Sequence, residues 1–299
     1  MAIKFIMGFT PKKTFNILKT YSLVVAKGIY YLCAMIKGIL FGLLFGIFTS
    51  FSQANSDKKT INSPPFKQGE WFQLRIHYGI FNASYATLSL ERDTLKGRPV
   101  FHAKAYGETT GIANWFFKVE DYYESYFDEI TNLPYKFIRD INEGGYTKKI
   151  EIAFDQELYT AEVNNLKKNT IQVFDTQPKV QDLISCFYYL RHFYPEKDIE
   201  INESFDINMF FDQENYVFKL KYLGKEIVNS KFGKINCLKF RPVVQSGRVF
   251  KEQESVTLWV SDDKNKLPIR IQADILVGSI KADLENFKNL KHPFKITVD

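Results

Sequence analysis

From Trp71 to Phe287 large apolar and polar side chains keep alternating with a period of two, and this pattern constrains the fold more than any other feature of the chain. Trp71, Gln73, Arg75 and His77 alternate with Phe72, Leu74, Ile76 and Tyr78, and after the break at Gly79 the stretch from Ser84 to Leu90 continues the pattern. Only an extended strand sends successive side chains to opposite faces. Further strand-like runs are predicted over 100–106, 115–127, 135–141, 146–154, 170–174, 205–211, 216–222, 226–232, 235–243, 255–260, 268–276 and 279–287. Gly, Asn, Asp or Pro separates them, which is turn chemistry. The predicted fold is mainly β, an antiparallel curved sheet or barrel-like body. One segment departs from it. From Val180, apolar residues fall at Leu183, Ile184, Phe187 and Tyr188, the stripe of an amphipathic helix that Pro195 stops. Leu190 and Phe193 widen its apolar face, so the helix is expected to cover the sheet and close one end of a barrel.

The first 54 residues follow a different rule. They hold Lys4, Lys12, Lys13, Lys19, Lys27 and Lys37 and no acidic residue, and they end in an apolar run followed by Ser52-Gln53-Ala54. This reads as an export signal, with Met35-Ile36-Lys37 as the start of a leader of ordinary length, Gly38 to Phe51 as its apolar core and a cut after Ala54. The competing reading is a retained anchor, since 21–48 is mostly apolar, although Lys27 and Lys37 interrupt it and neither piece reaches the ~20 residues of a membrane span. With these lysines set aside, the 34 acidic residues face an equal number of basic ones. The formal charge of +6 therefore belongs to the leader, and no nucleic-acid partner is expected for the rest. Residues 55–68, polar and carrying Pro64-Pro65, read as a flexible lead-in, and 69–299 as one β-rich domain, exported or periplasmic, with no stable membrane span after cleavage.

Chemistry-bearing residues are sparse. No phosphate-cradling glycine loop, no G-x-S-x-G and no H-E-x-x-H occurs. His77, His102, His192 and His292 lie far apart, so no metal and no cofactor are expected. Cys186 and Cys237 are open to pairing in an oxidising compartment, but their apolar neighbours favour two separate core thiols. Asp262-Asp263-Lys264-Asn265-Lys266 lies between strand-like runs and reads as a turn.

Five residues stand out as candidate ligand contacts. Asp182 and Ser185 are one turn apart at the predicted helix start, where Asp182 suits the positive end of the helix dipole and Arg191 the negative end. Arg139 and Glu143 are expected either to form a cross-sheet ion pair or to meet a ligand. Tyr122 and Trp115 belong to an aromatic-rich strand region in a chain with 28 Phe and 17 Tyr, and such a strand either fills a core or lines a cavity. No catalytic residue is assigned.

Several stretches carry a family likeness: Gly69-Glu70 with Tyr78-Gly79, the run Trp115 to Ser125, Leu133-Pro134, Arg139 with Glu143-Gly144-Gly145-Tyr146, Gln181 to Ser185 through Tyr188 to Arg191, Trp259 to Asp263, and Val277-Gly278-Ser279-Ile280. In this order they resemble the exported bacterial family called domain of unknown function 3108. The resemblance implies a periplasmic or envelope β-rich protein of no established activity. The expected function is non-catalytic: binding of a lipid or other apolar or amphiphilic ligand, or of an envelope protein partner. The alternative is a periplasmic glycan hydrolase using paired carboxylates from clusters such as Glu120-Asp121 with Glu124.

Overall fold

The computed structural model describes residues 63–193, 199–243, 256–275 and 277–297; the leader, most of the lead-in and Pro195 lie outside the described residues. The first half of the chain forms β1 (Trp71–Tyr78), β2 (Phe81–Leu95), β3 (Arg98–Thr109), the short α1 (Gly111–Phe116), β4 (Val119–Asp128), β5 (Pro134–Glu143), β6 (Tyr146–Asp155), β7 (Thr160–Asn165) and β8 (Thr170–Asp175). After α2 (Leu183–Phe193) come β9 (Ser204–Phe211), β10 (Glu214–Ser230), β11 (Gly233–Val243), β12 (Val256–Ser261), β13 (Pro268–Asp274) and β14 (Ser279–Lys288).

All of these strands belong to one antiparallel sheet of 14, in the order β8-β7-β6-β5-β4-β3-β2-β1-β14-β13-β12-β11-β10-β9. The first and last strands pair along a central seam, Trp71 opposite Lys288 and Tyr78 opposite Ile280. Two wings wind outward from that seam, and no ladder joins β8 to β9. The sheet is therefore curled but open. Its wings meet through side chains: Phe210 on β9 lies 6.1 Å from Phe154 on β6 and 5.8 Å from Phe174 on β8, ring centre to ring centre. Polar contacts span the same gap, with Asn215 Nδ2 donating to the Asp175 carbonyl at 2.7 Å and Gln213 to Gln172 at 3.3 Å.

Three departures from the sequence pattern have local causes. Trp115 and Phe116 do not open a strand but sit in α1, which turns the chain between β3 and β4. Gly111 breaks the extended run at φ 55°, and the Thr109 hydroxyl pins the exit by accepting from Val119 N at 2.9 Å. The runs 216–222 and 226–232 are one long strand, β10, interrupted by a bulge at Gly224. Its φ of 107° is a conformation that glycine alone adopts without strain. Finally, β7 has the sequence TAEVNN, too polar to announce itself, yet Ala161 and Val163 are fully buried.

The foreseen helix exists as α2 and packs on the inner face of the sheet rather than capping the end of a closed barrel, because no closed barrel forms. Tyr188 stacks on Phe127 of β4 at 5.2 Å and meets Phe66 edge-on at 4.8 Å. Each such aromatic pair adds about 0.5–1.5 kcal/mol beyond its buried area.

Candidate functional site

The position of α2 is fixed at both ends by buried polar chemistry. At its start Asp182 Oδ1 accepts from the backbone N of Ile184 and of Ser185, each at 2.8 Å, and Ser185 Oγ accepts in return from Asp182 N at 2.9 Å. This reciprocal cap satisfies the first free donors of the helix. The other carboxylate oxygen accepts from Ser125 Oγ at 2.6 Å, which ties the cap to β4. Immediately before it, Gln181 N donates to the Asn208 carbonyl and Phe210 N to the Gln181 carbonyl, adding a parallel rung to the free edge of β9. Burial pushes the Asp182 carboxyl up to about 6, against the pull of these donors.

At the far end Arg191 grips Glu70 with both terminal nitrogens, at 2.6 and 2.9 Å, and its Nε donates to the Asn265 carbonyl at 3.0 Å. Both side chains are fully enclosed. The rings of Phe66, Phe187 and Tyr188 surround the guanidinium at 5.2–5.6 Å. Burial pulls its pKa down, but the Glu70 carboxylate holds it above the ordinary value. Three distant segments, the entry to β1, the end of α2 and the turn between β12 and β13, are thus locked together. That turn is built by Asp263 Oδ1, which accepts from Asn265 N at 2.9 Å.

Held this way, α2 divides the interior. Ile184 and Tyr188 face a closed core, whereas Phe187, Leu190 and Phe193 are only half-buried, and the reason is a cavity beside them. Its volume is about 980 Å³. Phe72, Leu74, Leu88 and Ala105 line it from β1 to β3, and Phe205, Leu220, Leu238, Phe240, Leu258 and Ile271 from the opposite wing. Protein interiors pack with few voids larger than a water molecule, and ligand cavities run from about 300 to 1,000 Å³. The charged residues on its wall are Lys179, Arg191, Asp206 and Lys266.

The five residues singled out from sequence lie elsewhere. Asp182 is the helix cap described above, inside the packed half. Arg139 and Glu143 lie on the same strand, and Arg139 reaches across to Asp212 beyond β9, 2.7 Å away, where Lys148 also binds. The void beside Arg139 measures about 10 Å³, room for one water at most. Glu143 is buried at the two-glycine turn into β6. Tyr122 lies half-exposed on the outer face against Tyr106, ring centres 4.6 Å apart. Trp115 is 90% exposed on α1. The structure brings none of these into the cavity wall, whose strand residues carry no sequence signal that separates them from ordinary core positions. The nearest sequence signal was the surplus of apolar residues on the helix face at Leu190 and Phe193.

Cys186 and Cys237 are both buried and unpaired, as their apolar neighbourhoods indicate. Burial raises both thiols, Cys237 to about 12. Among the described residues no group of three or more His, Cys, Asp or Glu side chains is placed to hold a metal. No helix among them is long and apolar enough to cross a membrane.

Fold and cavity together define a β-barrel-like protein whose open, curled sheet wraps a helix and an apolar space. The chain belongs to the family of proteins of unknown function DUF3108, whose model matches residues 73–285. Among solved structures it is similar to a β-barrel-like protein of domain of unknown function DUF1849 from Brucella abortus, 8% identical with a TM-score of 0.46, over 74% of this chain and 97% of that one. It is also similar to a DUF1089 family protein from Pseudomonas aeruginosa, 12% identical with a TM-score of 0.36, over 64% of this chain and 92% of that one. No curated protein matches the sequence.

Proposed function

We propose that this chain is an exported envelope protein that binds an apolar or amphiphilic ligand without chemical turnover. The observation that carries the reading is the cavity of about 980 Å³ with a predominantly apolar wall, bordered by a helix anchored at both ends. A space of this size and lining favours the hydrocarbon part of a lipid-like molecule over a sugar, which needs many polar partners. Among the described lining residues Asp206 is the one acid, so the wall offers no pair of carboxylates for glycan hydrolysis. Export is supported by the acid-free, lysine-bearing leader with its apolar core and small residues before Asn55. N-terminal sequencing of protein recovered from the producing cell should begin at Asn55, and a chain still carrying the leader would contradict export of this form.

Binding is tested with N-phenyl-1-naphthylamine, a neutral apolar dye whose fluorescence rises in an apolar site. The full chain should bind about one dye per molecule. Ala105→Phe, which places a ring in the cavity, should weaken that binding, and because the ring enters open space the unfolding temperature should not fall. Absence of dye uptake by the unaltered protein would sink the proposal.

A further inference from the structure

The charges on the cavity wall are unequal, and their pairing shows which of them are spare. Arg191 is committed to Glu70 and the Asn265 carbonyl. Asp206 lies 3.3 Å from Lys219, and Lys266 is 3.8 Å from Asp262. Lys179, exposed on the segment that leads from β8 into α2, has no ion-pair partner among the described residues. Lys179 follows Pro178 in a turn and holds φ at 55°, the left-handed region that such turns ordinarily fill with glycine or asparagine. Lys96 and Lys266 hold the same conformation, so it does not set Lys179 apart, but it makes glycine a strain-free replacement there. An apolar wall with one uncommitted cation at its edge is complementary to a hydrocarbon chain ending in an anion.

We propose that the cavity takes an anionic amphiphile, a long hydrocarbon chain bearing a carboxylate or phosphate head, with the head at Lys179 and the chain along Phe205, Leu220 and the α2 face at Phe187 and Leu190. The inference rests on the cavity reading above and adds the sign of the head group. Asp206, the acid on the same wall, is paired with Lys219 at 3.3 Å and so is committed elsewhere.

The test displaces N-phenyl-1-naphthylamine from the full chain with four probes that share one hydrocarbon chain: oleate, oleyl phosphate, oleyl alcohol and oleylamine. At low salt at least one of the two anions should bind about five-fold tighter than the alcohol, as expected for one partly exposed ion pair, and the difference should shrink at high salt. Whichever anion binds tighter identifies the head as carboxylate or phosphate. Lys179→Gly removes the charge at a position whose backbone suits glycine, so its unfolding temperature should not fall, while the preference for the anion should disappear. Equal binding of anions and alcohol, tightest binding of oleylamine, or an anion preference that survives in Lys179→Gly would each overturn the inference and leave the apolar cavity standing. Failure of all four probes to displace the dye would overturn the cavity reading itself.

Discussion

Arg191 carries its charge into the interior, and the fold accepts it because Glu70 meets both terminal nitrogens in the fork geometry that a carboxylate shares with a guanidinium. Removing one partner leaves the other buried and unpaired. Glu70→Ala should therefore cost about 3–5 kcal/mol in urea unfolding, whereas Glu70→Leu combined with Arg191→Met should recover most of it. A double variant as unstable as the single one would show that the pair itself, rather than the orphaned charge, stabilises the fold. Asp182 makes an opposite wager between burial and hydrogen bonding. Burial lifts its carboxyl from 3.8 to about 6, so the folded state holds the proton more tightly than the unfolded chain. The associated stabilisation is fully present below pH 3.8 and is lost as pH rises through about 6, roughly 3 kcal/mol in all. Asp182→Asn keeps the cap acceptor and cannot ionise. The stability of the native protein relative to this variant should accordingly fall by that amount between pH 3.8 and 7, and a flat difference would mean that the three donors at least offset burial. The two sites also differ in legibility. The cap joins residues three apart and could be read directly, while Glu70 and Arg191 are 121 residues apart, a pairing that depends on how the wings fold back.

Elements were most legible where one face is dry and the other wet. On β4, and on β5 from Phe137 onward, burial alternates residue by residue, as the sequence pattern requires. The pattern blurs where the ladder slips. On β1 the register against β2 shifts between Ile76 and His77, and the buried residue at that end becomes His77 while Tyr78 turns outward, the reverse of the simple alternation. His77 is accommodated there by the Gly79 carbonyl and Asp283, at 2.8 and 2.9 Å. Turns were legible from their glycines, and the hairpin between β5 and β6 shows why. Gly144 and Gly145 hold φ at 58° and 90°, the two-residue turn whose twist matches the strands it joins. A Cβ on Gly144 would also overlap the ring of Phe117. Gly144→Ala should therefore cost more than the ~1 kcal/mol of the left-handed backbone alone. In Gly144→Ala combined with Phe117→Ala the overlap disappears and only the backbone cost should persist, which chemical denaturation of the three variants can separate. Equal stability of Gly144→Ala and the native chain would mean that α1 and its exit loop shift freely.

At the scale of the whole molecule, the sheet is wound outward from the seam of β1 and β14, and its two ends are held together by side chains and α2 instead of a ladder. This could not be read from strand patterns, because pairing the first strand with the last and leaving the eighth and ninth unpaired changes no local signal. The cavity was illegible for the same reason, since its wall is gathered from both wings and recognisable only once they close around the helix. The arrangement implies a gradient of local stability. Strands at the seam are bonded on both sides and sit over buried clusters, whereas β8 is short, has one neighbour and is largely exposed, with Ile171 and Val173 facing solvent. Amides of β8 should therefore exchange with solvent through local opening, orders of magnitude faster than those of β1 and β14, which should exchange only on global unfolding. An apolar ligand in the cavity would touch β1 to β3, β9 to β13 and α2 but not β6 to β8. Its binding should accordingly slow exchange on the first set through contact and closure, and leave the local opening of β8 unchanged. Uniform slowing across all strands, β8 included, would show instead that the two wings open as one cooperative unit and that the missing ladder has no energetic consequence.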